Sequence, residues 1–99
     1  MTKRTPEALV RKASLCLGDL KPGAFYRDYP NGPLGRFEIK QFSEQDRQHA
    51  LDDLRHILTE WLENYPDSLA EWISNRSRPH EDPETRSVLN SYYWAAASS

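Results

Sequence analysis

The chain is poor in cysteine, with Cys16 as its single thiol among 99 residues. One cysteine cannot form an intrachain disulfide, and it excludes the zinc sites that are built from pairs of cysteines. We expect Cys16 to be an unreactive packing group, because it falls on the apolar face of a predicted helix. We therefore expect no metal ion and no cofactor, and a fold that requires neither an oxidant nor a metal.

Long apolar segments are also missing from this sequence. No stretch approaches the roughly 20 apolar residues that a membrane-spanning helix needs, and the first residues lack the apolar run of a signal peptide. We therefore expect a cytoplasmic protein that has no membrane partner.

The sequence shows no catalytic motif. It contains neither Gly-x-Ser-x-Gly nor a glycine-rich phosphate loop followed by lysine. Asp52 and Asp53 are adjacent, but neighbouring residues diverge by about 100° on a helix and cannot share a proton. His49, Asp53, His56 and Glu60 have a spacing that suits zinc, yet they point away from the apolar side of their predicted helix. We interpret them as a solvated face and expect a protein that is not an enzyme.

The strongest positive signal is an amphipathic helix predicted over residues 44–63. Ser43 and Asp46 match a capping box, with Asp in the place of the usual Glu. The apolar residues recur at spacings of three and four and fall within an arc of roughly 140°. They are Ala50, Leu51, Leu54, Ile57, Leu58, Trp61 and Leu62. We predict that this helix is central and that Leu54, Leu58 and Trp61 are its most buried residues.

Three further helices are predicted, over residues 5–17, 67–75 and 83–96. The first and the last begin alike, with Thr5-Pro6-Glu7 and Asp82-Pro83-Glu84. Each gives an N-cap residue, a proline in the first turn and a carboxylate near the positive end of the helix dipole. Gly18 is predicted to end the first helix.

Residues 24–41 predict a β-hairpin. The segments 24–29 and 36–41 alternate roughly between apolar and polar residues, and the six-residue loop between them is rich in turn formers. An isolated hairpin is marginal in water, so we expect it to pack on the central helix through Phe25, Phe37 and Ile39. The predicted fold is a single helix-rich α+β domain over residues 1–99, with about four helices and one hairpin. The alternative is an all-α bundle with an irregular segment over residues 18–42.

Aromatic residues are numerous, with three Trp, five Tyr and three Phe, and they cannot all fit inside a small core. Trp94 lies outside the apolar arc of the last helix. Tyr, Trp and Arg are enriched at the energetic centres of interfaces. We therefore predict a partner-binding site that has Tyr93 and Trp94 as anchors and Arg86 as a charged neighbour. The alternative is that Trp94 folds back over the edge of the core.

Charge is distributed unevenly along the chain. Residues 1–36 carry seven Lys and Arg against three Asp and Glu, whereas residues 37–71 carry three against nine. A cationic segment with aromatic rings is typical of single-strand nucleic-acid binding. The residues that this alternative would use are Arg11, Lys12, Tyr26, Arg27 and Arg36. The net charge of −2 and the pI near 5.9 oppose it.

These observations together predict a small non-enzymatic protein that binds a larger macromolecule as a regulator, adaptor or inhibitor. The acidic middle of the chain could cover a basic surface, so a nucleic-acid-processing enzyme is a special case of the partner. Direct nucleic-acid binding is the alternative function. The sequence leaves the oligomeric state open.

Overall fold

The computed structural model describes residues 4–20, 25–76 and 82–98, which form four helices and one β-hairpin. The elements are α1 (Pro6–Asp19), β1 (Phe25–Asp28), β2 (Glu38–Gln41), α2 (Glu44–Asn64), α3 (Pro66–Ser74) and α4 (Pro83–Ala97). The predicted helix-rich α+β class is confirmed. Residue 24, predicted to begin the first strand, lies outside the described residues. Within the described ranges, no helix is long and apolar enough to cross a membrane.

The starts of α1, α2 and α4 follow the capping signals in the sequence, whereas α3 begins at Pro66 without a side-chain capping bond. Ser43 Oγ accepts a hydrogen bond from the Asp46 N–H at 3.2 Å, and the Asp46 carboxylate accepts one from the Ser43 N–H at 3.0 Å. Thr5 and Asp82 also accept hydrogen bonds from backbone N–H groups in their first turns. These bonds satisfy donors that have no partner within a helix, which is why α1, α2 and α4 begin there.

The end of α1 differs from the prediction. The helix continues through Gly18 to Asp19, and the Leu20 N–H donates to the Cys16 carbonyl at 3.1 Å. Leu20, the C-cap residue, is buried in the core, so its packing favours continuing the helix one residue beyond the glycine. The predicted stop at Gly18 was wrong, because a glycine can end a helix but does not force it to end.

Helix α2 lies at the centre of the molecule and packs against α1, α3 and α4. Leu54, Leu58 and Trp61 are completely buried, which confirms the predicted core of this helix. Leu62, at the margin of the apolar arc, is half-buried. The other helices contribute further buried apolar residues, which are Leu9, Ala13, Leu69, Ile73, Val88, Leu89 and Ala96. The apolar side of α2 is thus occupied by helices.

Polar contacts also join α4 to α2. Arg47 Nη2 lies 3.0 Å from Asp82 Oδ2, and the buried Thr85 hydroxyl donates to the same Asp82 oxygen at 3.0 Å. Partial desolvation acts to raise the pKa of Asp82, but the hydrogen bonds from Thr85 and the charge of Arg47 outweigh it, so this pKa is lowered. Further along both helices, the hydroxyls of Thr59 and Tyr92 lie 2.7 Å apart.

The hairpin is antiparallel, and it does not share in the helical core. Arg27 pairs with Ile39 and Asp28 with Glu38, and residues 29–37 connect the strands. Phe25 and Ile39 are 61% and 62% exposed. The expectation that Phe25, Phe37 and Ile39 face the helices was therefore wrong. The physical reason is that the other helices already cover the apolar side of α2.

Candidate functional site: the exposed face of the hairpin

The register of the hairpin sorts its side chains onto two faces. Residues opposite each other in an antiparallel pair point to the same side, and successive residues alternate. One side therefore collects the odd-numbered strand residues Phe25, Arg27, Ile39 and Gln41, and Tyr29 and Phe37 extend it beyond the strands. We name this side the hairpin face. The opposite side, the reverse face, carries Tyr26, Asp28, Glu38 and Lys40.

Close contacts organise the hairpin face near the loop. The Arg27 guanidinium carbon lies 4.7 Å from the centre of the Phe37 ring, in a cation–π contact. The Tyr29 and Phe37 rings are 5.7 Å apart and tilted by 51°. These contacts hold a cation and two rings together on one surface, although Tyr29 and Phe37 lie just outside the strands.

The hairpin face is unusual because its apolar side chains remain open to solvent. Phe25 and Ile39 are more than half exposed, Phe37 is 46% exposed, and Tyr29 is also exposed. Leu34, in the connecting loop, is fully exposed. Single exposed apolar residues are common, but a contiguous group of them indicates an interaction site. The hairpin face is therefore the main candidate for a binding surface.

The reverse face is polar and has its own internal pairing. Lys40 Nζ lies 2.7 Å from Asp28 Oδ2, and the hydrogen bond between them is the main cause that raises the pKa of Lys40. Glu38 is directly opposite Asp28, so two carboxylates face each other across the strands. Tyr26 packs beside Phe42, with ring centres 5.1 Å apart. The charges of the strands other than that of Arg27 thus lie on this side.

The predicted partner site on α4 is partly open. Trp94 is 67% exposed, and its ring makes an edge contact with Tyr93 at 5.3 Å. Tyr93 is half-buried and packs against the core. Arg86 is exposed and lies seven residues before Tyr93, which places both on one side of the helix about two turns apart. The predicted site on α4 therefore has one large exposed ring, that of Trp94, whereas the hairpin face has several exposed rings.

The residues predicted for nucleic-acid binding do not form one surface. Arg11 and Lys12 are exposed on α1, which packs against α2. Arg27 lies on the hairpin face, Tyr26 lies on the reverse face, and Arg36 is exposed in the loop. Of the five residues predicted for nucleic-acid binding, Arg27 is the one that lies among the aromatic rings of the hairpin face.

The polar face of α2 shows ordinary helix contacts. His56 Nδ1 donates to the Asp52 carbonyl at 2.9 Å, and Glu60 lies 3.8 Å from Arg4. In residues 4–20, 25–76 and 82–98, no group of three or more His, Cys, Asp and Glu side chains is arranged to hold a metal ion. Cys16 is half-buried, and burial, followed by the charges of Asp53 and Asp19, raises the pKa of its thiol.

Sequence reasoning placed Arg27 and Tyr26 in a candidate surface but missed the hairpin face as a unit. The alternation of Phe25, Arg27 and Tyr29 was a usable signal, because no carboxylate or lysine falls on that side of either strand. No described protein family, no characterised protein and no solved structure matches this chain.

Proposed function

We propose that this protein is a small cytoplasmic, non-enzymatic binding protein that acts as a regulator, adaptor or inhibitor of a larger macromolecule. The observation that carries the proposal is the solvent-exposed hairpin face. The hairpin face carries aromatic residues and an arginine, which are enriched at the centre of protein interfaces. It carries no Lys, Asp or Glu, which are rare at such centres. A protein partner that covers this face would bury Phe25 and Ile39, at a gain of about 25 cal/mol per Å² of apolar surface.

The charge of the hairpin face defines the partner further. Arg27 is the one charged residue of this face, and the strand carboxylates Asp28 and Glu38 lie on the reverse face. Burying an arginine without a carboxylate is unfavourable. The partner surface is therefore apolar, with an acidic residue that meets Arg27. Acidic residues are also exposed on α2, among them Asp52, which pairs with Arg55, and Asp53; they would suit a basic patch on a nucleic-acid-processing enzyme.

A capture experiment with matched variants tests this proposal. The immobilised wild type is compared with the double variant Phe25→Ser/Ile39→Thr in lysate, and the retained proteins are quantified. Leu15→Ser is the control, because Leu15 is an equally exposed apolar residue (68%) on α1. We expect the wild type and the control to retain the same proteins and the double variant to lose them. A retained protein is then purified, and its binding should show a negative heat-capacity change.

Two outcomes would contradict this function. Equal retention by the double variant would mean that the hairpin face is not the binding surface, and Trp94→Ala would then test α4. Loss of retention after nuclease treatment would favour direct nucleic-acid binding, which the contact of Arg27 with Phe37 makes the second candidate. A fluorescent single-stranded oligonucleotide decides this case, since binding through phosphates weakens steeply with salt. Binding through an apolar protein interface responds little to salt.

A further inference from the structure

The outer edge of β2 is unpaired in the two-stranded sheet of the described residues. β1 bonds to β2 on one side, and all four residues of β2 are exposed. The backbone N–H and C=O groups of such an edge can pair with another strand. The side chains along the edge decide which strand is accepted.

Glu38 and Lys40 flank Ile39 with opposite charges, so β2 is complementary to itself in one antiparallel register. When two copies of β2 pair about Ile39, each Glu38 faces the Lys40 of the other copy, and the two Ile39 side chains meet on the opposite side. A pairing centred on Lys40 would place two lysines opposite each other, and one centred on Glu38 would oppose two glutamates. Opposite charges stabilise cross-strand pairs and like charges destabilise them, so one register is favoured.

Within one chain, Glu38 has no salt-bridge partner among the described residues, so it is available to contact Lys40 of a second copy. Glu38 is directly opposite Asp28, and that carboxylate is already bound to Lys40 at 2.7 Å. A lysine ammonium group has three N–H donors. Lys40 can therefore bind Asp28 of its own chain and Glu38 of a second copy together.

We propose that two copies of this chain pair antiparallel along β2, centred on Ile39, and form a continuous four-stranded sheet. The two-fold axis is perpendicular to the sheet, so the hairpin faces of both copies lie on the same side. The dimer doubles that surface and gives the hairpins the three or more strands that a sheet needs for stability in water. Pairing through the hairpin faces themselves is disfavoured, because Arg27 would meet no carboxylate there. This proposal concerns the strand edge and does not depend on the proposed function.

The test measures molar mass by light scattering after gel filtration, over a range of concentrations and at low salt. The wild type should rise from 11.5 kDa toward twice that value as concentration increases. Two charge variants are compared with it. Glu38→Lys places two lysines beside Ile39, and Asp28→Lys/Lys40→Glu places two glutamates there. Both variants keep a cation opposite the carboxylate within their own hairpin, so circular dichroism should show that both are folded.

Each variant alone should remain at 11.5 kDa at concentrations where the wild type dimerises, with a dimer dissociation constant raised about tenfold or more. An equimolar mixture of the two variants should recover the dimer, because their charges are complementary in the same register. A wild type that stays monomeric throughout would overturn the proposal. So would variants that dimerise as well as the wild type, or a mixture that fails to associate.

Discussion

Replacing Leu58 by Ala tests the packing on which the whole fold depends. Leu58 is completely buried in α2, the helix that contacts α1, α3 and α4. The substitution removes three carbons, at about 0.8 kcal/mol of transfer free energy each, or about 2.4 kcal/mol. Because α1, α3 and α4 pack on the apolar side of α2, the site can close only partly around the cavity, and we expect a total loss of about 3–5 kcal/mol. A chain of 99 residues has about 5–15 kcal/mol of stability, so the loss is a large fraction of it.

Urea unfolding followed by far-ultraviolet circular dichroism measures this loss. We expect the midpoint for Leu58→Ala to fall by about 1 M or more with an unchanged m-value. Leu34→Ala is the matched control, because Leu34 is the same residue type and is fully exposed, and its free energy of unfolding should change by less than about 0.5 kcal/mol. A loss below about 1 kcal/mol for Leu58→Ala, or equal losses for both variants, would refute the buried position of Leu58.

Four further predictions concern Trp94, Asp82, Cys16, and the response of the protein to reductant and chelator. Trp94→Ala should change the free energy of unfolding by less than about 1 kcal/mol, because the ring is 67% exposed; a larger loss on thermal unfolding would place Trp94 in the core. Asp82→Asn should lower stability by about 1–2 kcal/mol at pH 7, because the amide oxygen can still accept from Thr85 but the negative charge that pairs with Arg47 and strengthens these hydrogen bonds is lost. The pKa of Asp82 is lowered in the fold, so its contribution is present above about pH 4 and is lost as the pH falls through the lowered value. The wild type and Asp82→Asn should therefore converge in acid urea titrations, and a constant difference would contradict this cause. Cys16 should react with iodoacetamide more slowly than free cysteine at neutral pH, since burial raises its pKa. Neither reductant nor chelator should shift the melting temperature, and a shift of several degrees with chelator would indicate a metal site.

The candidate sites were predictable only in part. Trp94 could be placed outside its apolar arc from helical periodicity, and it is exposed as expected. Arg27 was identified as a candidate, but its position over Phe37 depends on the register of the strands and the path of residues 29–37. The self-complementary charges of Glu38 and Lys40 are visible in the sequence. These charges indicate a pairing between two copies only once the structure shows that the outer edge of β2 is unpaired.

Local signals in the sequence determined the secondary structure. Ser43 with Asp46, the proline-containing helix starts and the apolar arc of α2 act over a few residues, so they could be interpreted without knowing the fold. The tertiary structure decided which apolar surfaces meet. Leu20 extended α1 past Gly18 by packing into the core, and Arg47 joined Asp82 across a long separation in sequence. The alternation of apolar and polar residues in the hairpin is compatible with an apolar face that packs on a helix and equally with one that is exposed to solvent. The outcome depends on which elements cover the apolar side of α2. The other helices cover it, so the hairpin face remains exposed.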